Sequence, residues 1–440
     1  MKLSSLNLFS ESDQIAWVGA GGKTSLIFSV AKELFANKCV ITSTTKMAKY
    51  EIELADQSIK LKTLENFNVD VIKGITLIYQ ELVENDKTKI VGIEKNELGK
   101  LSRLLHRHQI PLLIEADGSQ RKPSKFPASY EPNTPPFVNK VCVVVGLSAI
   151  ENPLTIDYFH RPEEISKVLN IPLGTEIKIE HIYTLLSHPR GGLKNIPDQA
   201  EKILFLNQAD RYVNTKEIND LALKLKGFYD HVLLTEIHDY NLEIRAHWGK
   251  IGCVVLAAGE GSRFGGLKQL AIYQNKTFIE NVIGIAQSVN FDQIVVVLGS
   301  NFEKIVSFIN KDQIKVINNK DWKAGQSTSV KKGVSLFKGE KFDAILFLLV
   351  DQPQISISMI NDVLNLFAYK KENIIVHNYK GQFRHPILFS KHTFDDLMEI
   401  RGDQGGRQLF KKFPPLQINL ENDFLAIDID TKNDLKKLDS

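Results

Sequence analysis

This 440-residue sequence lacks paired cysteines, long apolar runs and an excess of either charge. Its three cysteines, Cys39, Cys142 and Cys253, lie singly in apolar runs without C-x-x-C spacing, which indicates buried thiols and argues against a zinc site. No apolar run approaches the roughly 18 residues that cross a bilayer. The first 14 residues lack the basic and apolar regions of a secretory signal. We therefore expect a cytoplasmic protein with no membrane partner.

The charge balance also limits the partners. The formal net charge is only +3 with the signs interspersed, so no nucleic-acid surface is expected. Apolar residues at 43% and charged residues at 24% are typical of a globular protein that acts on small-molecule substrates. A chain of 440 residues exceeds one ordinary core, so two domains are predicted.

Short β-branched runs alternate with helical patterns, which is typical of α/β folds with parallel sheets. The predicted strands are 15–19, 39–43, 111–116, 140–146, 203–207 and 231–235, then 252–257, 293–299, 314–318, 344–350 and 373–376. A polar segment, 238–250, separates the two sets. We predict an N-terminal parallel sheet with helices on both faces in residues 1–245 and a C-terminal Rossmann-like domain in 250–440.

The segment LAAGEGSRFGGLK at 256–268 directly follows the apolar run 251–255. Its glycines let backbone N–H groups approach phosphate oxygens, and Arg263 and Lys268 supply the counter-charge. A strand that opens into such a loop indicates a polyphosphate site. Glycine-rich loops after strands are common, so an ordinary connection stays open as the alternative.

Acidic residues follow two other segments of the C-terminal half. Asp351 ends the apolar run 344–350, at the carboxyl end of a predicted strand, where ligands bind in open α/β sheets. Asp428 and Asp430 share one face of an extended segment. Carboxylates suit Mg²⁺, so Asp351 and Asp430 are the predicted metal ligands, with Mn²⁺ as an alternative ion. A turn former and a solvated strand end are the competing interpretations.

The order of these motifs resembles a known family. LAAGEGSRFGGLK, NNKDWKAGQSTSVKKG, LFLLVDQPQ, HPILF, RGDQGGRQLF and DIDTKNDL are similar to the molybdenum cofactor cytidylyltransferases, which have the NTP-transferase fold. The resemblance covers essentially residues 250–440. It implies that CMP passes from CTP to a terminal phosphate of the molybdopterin cofactor, with release of pyrophosphate and with Mg²⁺ bound.

The resemblance also implies roles for individual residues. The nucleotide would contact Leu256, Ala257, Ala258, Gly259, Gly325 and Ser329. The catalytic residues would be Arg263, Lys268 and Asp351, and the acceptor would lie toward His385, Asp403 and Arg407. Phe264, Arg384 and Lys432 stand where the family usually has Met, Gly and Pro. Because guanylyl relatives carry a glycine at the position of Ala258, the added methyl favours cytosine over guanine.

A second phosphate-binding pattern occurs near the N-terminus. In VGAGGKTS, which follows a predicted strand, Gly19, Gly21, Gly22, Lys23 and Thr24 would bind a nucleotide. The match to Walker A is partial, because Trp17 stands where its first glycine is expected. The next candidate, Asp117, follows strand 111–116 together with Glu115, where a Walker-B acid sits.

A possible base-reading motif follows strand 203–207. Asn207 and Asp210 in NQAD resemble the guanine-reading Asn-Lys-x-Asp of GTPases, although Gln208 replaces the lysine. A purine nucleotide is the expected ligand, and a strand-to-helix turn capped by Asp210 is the open alternative. The cluster of Arg121, Lys122 and Lys125 is either an anion contact or a solvated loop face.

VGAGGKTS, ITSTTKM, LIEADGSQRKPSK, HPRGGLKNIP and NQAD together resemble the selenium-dependent molybdenum hydroxylase accessory proteins, over roughly residues 12–240. The main hypothesis is therefore a bifunctional maturation factor whose P-loop-like domain binds or hydrolyses a nucleotide, with an apo molybdenum hydroxylase as its client. A cytidylyltransferase for another phosphate acceptor and a nucleotide-gated cofactor carrier without transfer activity are the alternatives.

Overall fold

The computed structural model describes residues 1–65, 67–83, 88–310, 312, 314–420 and 428–436. The chain divides into two compact units, Met1–His247 and Trp248–Ser440. No helix in the described ranges combines the length and apolarity that crossing a bilayer requires.

The strands of the first unit are β1 Gln14–Gly19, β2 Lys38–Ser43, β3 Lys46–Ala48, β4 Gln57–Lys60, β5 Gly74–Tyr79, β6 Glu81–Leu82, β7 Lys89–Val91, β8 Leu112–Glu115, β9 Ser124–Lys125, β10 Lys140–Gly146, β11 Phe159–His160, β12 Glu201–Asn207, β13 His231–His238 and β14 Asn241–Trp248. Nine of them form one sheet with the order β14-β13-β12-β10-β1-β8-β2-β5-β4. The helices are α1 Lys23–Leu34, α2 Lys95–Arg107, α3 Pro162–Leu169, α4 Ile179–Ser187 and α5 Thr215–Leu225. From β13 to β4 the strands are parallel, and the central ones are buried almost throughout, as their apolar runs predict.

The second unit contains a seven-stranded sheet with the order β19-β18-β15-β20-β22-β21-β23. Its strands are β15 Ile251–Ala257, β16 Ile272–Tyr273, β17 Lys276–Thr277, β18 Gln293–Leu298, β19 Ile314–Asn318, β20 Ala344–Leu349, β21 Ile374–Tyr379, β22 Gln382–Ser390 and β23 Leu416–Asn419. The helices are α6 Phe278–Gln287, α7 Phe302–Ile305, α8 Gln326–Val334, α9 Ile357–Lys370, α10 Phe394–Glu399 and α11 Lys432–Lys436. The predicted α/β class is therefore confirmed.

Several strands lie outside the ranges that the sequence predicts: β4 and β5 in the first sheet, β22 and β23 in the second, and the edge strand β14. The polar segment 238–250 contains strand β14, whose inward positions include the buried Ile244 and Ala246. A two-residue turn at Asp239 and Tyr240, both with positive φ, joins it to β13. In addition, β22 runs antiparallel between β20 and β21 and carries Pro386, next to a register shift in its pairing with β21. A proline is tolerated there because the hydrogen-bond ladder is already interrupted.

Candidate nucleotide sites

The glycine-rich loop of the second unit leaves the carboxyl end of β15. Gly261 and Gly265 adopt left-handed backbone angles, with φ of 68° and 73°. The buried Gln269 side chain donates to the carbonyls of Ala257 (3.0 Å) and Gly259 (2.7 Å). This glutamine holds the two ends of the loop together and was not singled out from the sequence, although it directly follows Lys268.

Lys268 lies at the centre of a charged cluster. Its Nζ is 3.0 Å from Asp351 Oδ2 and 3.1 Å from Asp430 Oδ1. Arg263 lies 3.1 Å from the other oxygen of Asp430. The backbone N–H of Ile429 donates to the carbonyl of Asp351 at 3.1 Å, which ties the second acidic segment to the end of β20. Four residues from three distant parts of the sequence thus converge at one edge of the sheet.

The Asp351 carboxyl group fits a divalent cation. Burial raises its pKa, the adjacent Lys268 opposes the shift, and Asp428 and Asp430 add to it. Its Oδ1 is buried without a hydrogen-bond partner in the described chain. A crowded set of carboxylates with an unpartnered oxygen is the donor set that Mg²⁺ or Mn²⁺ prefers.

A cleft with two lobes opens beside these charged residues. One lobe, of about 450 Å³, lies over the glycine-rich loop. Its lining includes Leu256, Ala257, Ala258, Gly259, Arg263, Lys268, Gly325 and Ser329. Gly325 has a φ of 106°, and a Cβ there would come within 2.7 Å of Asp403 Oδ1. Ser329 is buried and accepts a hydrogen bond from Asn319 at 2.9 Å. The sequence-predicted nucleotide residues are therefore gathered on one surface.

A second lobe, of about 550 Å³, shares Asp351, Asp403 and Asp430 with the first. His385 and Arg407 line it. Burial, and then the charges of Arg407 and Arg384, lower the pKa of His385 to about 3, so its ring is neutral.

The second lobe combines an apolar wall with an acidic residue, Asp428, that contacts protein donors. Apolar side chains also line the lobe: Leu256, Val330, Phe347, Leu349, Ile387 and Phe389. Arg384, which departs from the family pattern, binds Asp428 at 3.0 Å. Asp428 also accepts a hydrogen bond from Gln352, so both of its carboxylate oxygens contact protein donors.

In the first unit, the loop between β1 and α1 requires its glycines. Gly19, Gly21 and Gly22 have φ of 97°, 86° and 102°. A Cβ on Gly19 or Gly21 would lie 2.2 Å from Val144 O or 2.1 Å from the N of Gly146. The backbone therefore passes too close to β10 for any other residue.

Lys23, the first residue of α1, is deeply buried. Its Nζ lies 3.0 Å from Glu115 Oε1 and 2.9 Å from Asp117 Oδ1. Asp117 also accepts from the Gly19 N–H at 3.0 Å. Burial alone would lower the pKa of Lys23, but Asp117 and Glu115 raise it above its ordinary value, so the ammonium stays charged.

The other predicted residues of the first unit are placed differently. Thr24 is half-buried at the start of α1. Asn207 donates to the carbonyl of Gly21 at 2.8 Å and accepts from Thr235, so it supports the loop. Asp210 forms an ion pair with Arg211 at 2.9 Å. The structure thus places Asn207 against the glycine-rich loop 19–22, whereas the Asp210 carboxylate pairs with its neighbour Arg211.

Family comparisons follow this division of the chain. A model of the YqeC protein matches residues 15–163, and a model of the MobA-like NTP transferase domain matches residues 253–417. The chain joins a YqeC domain to a MobA-like NTP transferase domain. The two resemblances seen in the sequence are confirmed, and the second domain belongs to a nucleotidyltransferase family.

Individual relatives match one domain each. Uncharacterized protein YqeC of Escherichia coli (strain K12) is 26% identical over 219 residues, which are 48% of this chain and 82% of that protein. Molybdenum cofactor cytidylyltransferase of the same strain is 27% identical over 187 residues, 42% of this chain and 93% of that protein. Nicotine blue oxidoreductase of Paenarthrobacter nicotinovorans is 26% identical over 196 residues, 42% and 94% respectively. Because two relatives of the NTP transferase domain carry such different names, similarity alone does not fix the substrate.

The basic cluster of the YqeC domain separates into two kinds of residue. Lys125 is buried between Asp117 (2.9 Å) and Glu131 (2.8 Å), and Lys122 donates to a backbone carbonyl at 2.9 Å. Arg121 instead lies over the Tyr50 ring, 5.2 Å from its centroid. Of the three side chains, Arg121 alone makes no hydrogen bond or ion pair with the residues that the structure describes.

Proposed function

We propose that the NTP transferase domain transfers CMP from CTP to the terminal phosphate of molybdopterin cofactor, releasing pyrophosphate. One observation carries the proposal: two lobes of one cleft meet at Asp351 and Asp430. A nucleotide over the glycine-rich loop and an acceptor in the second lobe would place their reacting phosphates beside these carboxylates. The likeness to molybdenum cofactor cytidylyltransferase over 93% of that protein supports this acceptor.

The chemistry requires no nucleophilic side chain. An oxygen of the acceptor phosphate attacks the α-phosphorus of CTP, a new O–P bond forms, and the bond to the β-phosphate oxygen breaks. Pyrophosphate leaves with the electron pair, and the attacking oxygen is already ionised. Positioning and charge neutralisation are then the main contributions of the protein.

Each charged residue has a part in this step. Lys268 and Arg263 would exchange Asp430 for oxygens of the triphosphate, since both already lie within about 3 Å of that carboxylate. Asp351 and Asp430 would hold Mg²⁺, which when bound neutralises charge on the phosphates. His385, being neutral, would hydrogen-bond the acceptor without carrying a charge.

The apolar wall of the second lobe bears on the choice of acceptor. Phe347 and Phe389 pack edge to face with their centroids 5.7 Å apart, and both line the lobe. A flat heterocycle with a phosphate suits this wall better than a sugar or polyol phosphate, which presents hydroxyl groups. The pterin acceptor is therefore preferred over the alternative cytidylyltransferase reactions.

The test is transfer of label. Full-length protein would be incubated with molybdopterin cofactor, Mg²⁺ and each α-³²P-labelled nucleoside triphosphate, and labelled pterin and pyrophosphate measured. CTP is expected to give the product, and Asp351→Asn to abolish it. Labelling of sugar phosphates but not pterin would establish the alternative acceptor. No transfer to either would favour the carrier hypothesis.

We further propose that the YqeC domain binds a purine nucleoside triphosphate at 19–24 and assists maturation of an apo molybdenum hydroxylase. The tight glycine backbone and the lysine at the start of α1 support phosphate binding. In a Lys268→Ala background, Lys23→Met should remove nucleotide binding while the domain stays folded. Unchanged affinity for both ATP and GTP would refute this site.

A further inference from the structure

A second group of charged residues adjoins the phosphate loop of the YqeC domain. The backbone N–H of Gly21 donates to the carbonyl of Lys122 at 3.0 Å, so the loop at 119–122 is tied directly to the glycines. Gln120 and Arg121, in that loop, both have positive φ, 49° and 61°. The Lys122 N–H donates to the Ser119 carbonyl at 3.0 Å, so these two residues form a tight turn that sets the position of Arg121 beside the glycines.

The Arg121 side chain is exposed, and packing on an aromatic ring orients its guanidinium. Its guanidinium packs on the Tyr50 ring, which is itself 40% exposed. Unlike Lys122 and Lys125, it makes no hydrogen bond or ion pair with any residue that the structure describes. A guanidinium fixed on an aromatic face next to a phosphate loop is ready to bind phosphate oxygens in a bidentate manner.

Glu51 adds a buried carboxyl group to the same place. It is 3% exposed; its Oε1 accepts from the Ala48 N–H at 3.2 Å, and its Oε2 is buried without a partner in the described chain. Burial and then the Glu115 charge raise its pKa to about 8. The hydrogen bond from the Ala48 N–H and then the charges of Lys23 and Arg121 act in the opposite direction on this pKa. Glu51 directly follows Tyr50, the residue on whose ring Arg121 packs, so the carboxyl group and the guanidinium belong to contacting segments.

We propose that the YqeC domain hydrolyses the terminal phosphate of a nucleoside triphosphate, with Glu51 as the proton acceptor and Arg121 as the residue that binds the transferring phosphoryl group. This inference rests on the nucleotide site proposed above. Water attacks the γ-phosphorus and gives its proton to the Glu51 carboxylate as the new O–P bond forms. The bond between the γ-phosphorus and the bridging oxygen breaks, and the nucleoside diphosphate leaves with the electron pair. An elevated carboxyl pKa suits a proton acceptor near neutral pH.

The experiment uses the full chain with Lys268→Ala, so that transfer in the second domain does not contribute. Release of inorganic phosphate and binding affinity would be measured with Mg²⁺ and either ATP or GTP. Glu51→Gln keeps an oxygen for the Ala48 N–H but cannot take a proton, so kcat should fall about 100-fold with affinity unchanged. Arg121→Ala should lower kcat about 1000-fold.

Two substitutions of exposed residues with the same charges serve as controls. Glu53→Gln changes an exposed carboxylate two residues from Glu51, and Arg107→Ala removes an exposed guanidinium at the end of α2. Both should leave kcat unchanged. If neither triphosphate is hydrolysed, or if Glu51→Gln and Arg121→Ala behave like these controls while binding still depends on Lys23, the inference is wrong. If binding does not depend on Lys23, the nucleotide site itself is wrong.

Discussion

Replacing Lys23 by methionine tests the electrostatics of the YqeC domain most directly. Lys23 and Asp117 each have 2% exposed side chains, and Glu115 has 11%. A chain of ion pairs extends from Asp117 to Lys125, Glu131 and Arg161, with successive distances of 2.9, 2.8 and 2.7 Å. These six residues carry three positive and three negative charges. Lys23→Met therefore leaves one buried negative charge uncompensated.

The burial decides the size of the effect. Exposed ion pairs contribute about 0–1 kcal/mol, whereas removal of one partner from a buried pair costs about 3–5 kcal/mol. Lys23 belongs to the second class because its ammonium group contacts two carboxylates that solvent barely reaches. Methionine keeps an unbranched apolar stem, so little of the loss arises from a cavity. We expect the free energy of unfolding to fall by about 3–5 kcal/mol.

The two-domain chain requires a local measurement. Hydrogen exchange as a function of urea, followed by mass spectrometry on peptides from β1 and α1, reports opening of the first domain alone. Lys167→Met is the matched control, because its pair with Glu164 is exposed, and it should cause no measurable change. Adding Glu115→Gln to Lys23→Met restores neutrality and should recover at least half of the loss. A loss below about 1 kcal/mol, or no recovery in the double variant, would refute the reasoning.

Three further predictions concern the NTP transferase domain. Asp351→Asn should lower turnover by about 100-fold or more and weaken Mn²⁺ binding seen by electron paramagnetic resonance; unchanged Mn²⁺ affinity would remove Asp351 from the metal site. Ala258→Gly should raise the kcat/KM ratio of GTP to CTP by about 10-fold, and an unchanged ratio would dismiss its methyl as a base selector. The pKa of His385 is lowered from 6.5 to about 3 in the folded protein. As the pH drops below 6.5, this histidine takes up a proton in the unfolded chain but not in the folded one, so the free energy of unfolding falls. His385→Asn should flatten that fall between pH 6.5 and 4 in urea titrations, whereas an identical slope would mean that His385 titrates normally.

Much of the NTP transferase site could be predicted from the sequence because its motifs are local. The strand before 256–268 and the strand before Asp351 are continuous apolar runs, and adjacent parallel strands bring their carboxyl ends together. That register sets the start of the loop that carries Lys268 beside the end of β20, and Lys268 Nζ lies 3.0 Å from Asp351. The role of Gln269 in joining the end of the loop to the carbonyls of Ala257 and Gly259 at its start could not be predicted, since a single glutamine carries no periodic signal.

The YqeC domain was less predictable for a physical reason. The glycine-rich loop 19–22 is recognisable in the sequence, but Tyr50, on which Arg121 packs, and Glu51 lie in a short 3-10 helical segment, Lys49–Leu54, with no motif to mark it. The sequence predicts a polar boundary at 238–250 because this segment carries Asn, His and Asp residues and precedes a new strand. The charged residues Glu243 and Arg245 occupy exposed positions of β14, which hides the buried alternate positions of the strand. Tertiary pairing with β13 decided its structure, as is common for edge strands.

The two domains hold the lysines that we propose as phosphate ligands in a similar way but at different depths. Lys268 and Lys23 each follow a glycine-rich loop, and each ammonium contacts two carboxylates from other segments. Around Lys268 those carboxylates are 29% and 40% exposed, so water and a metal ion can contact them when the Lys268 ammonium binds phosphate instead. Around Lys23 they are 2% and 11% exposed, so the same exchange leaves buried negative charge. Nucleotide binding to the YqeC domain should therefore depend more steeply on an accompanying cation than binding to the NTP transferase domain does.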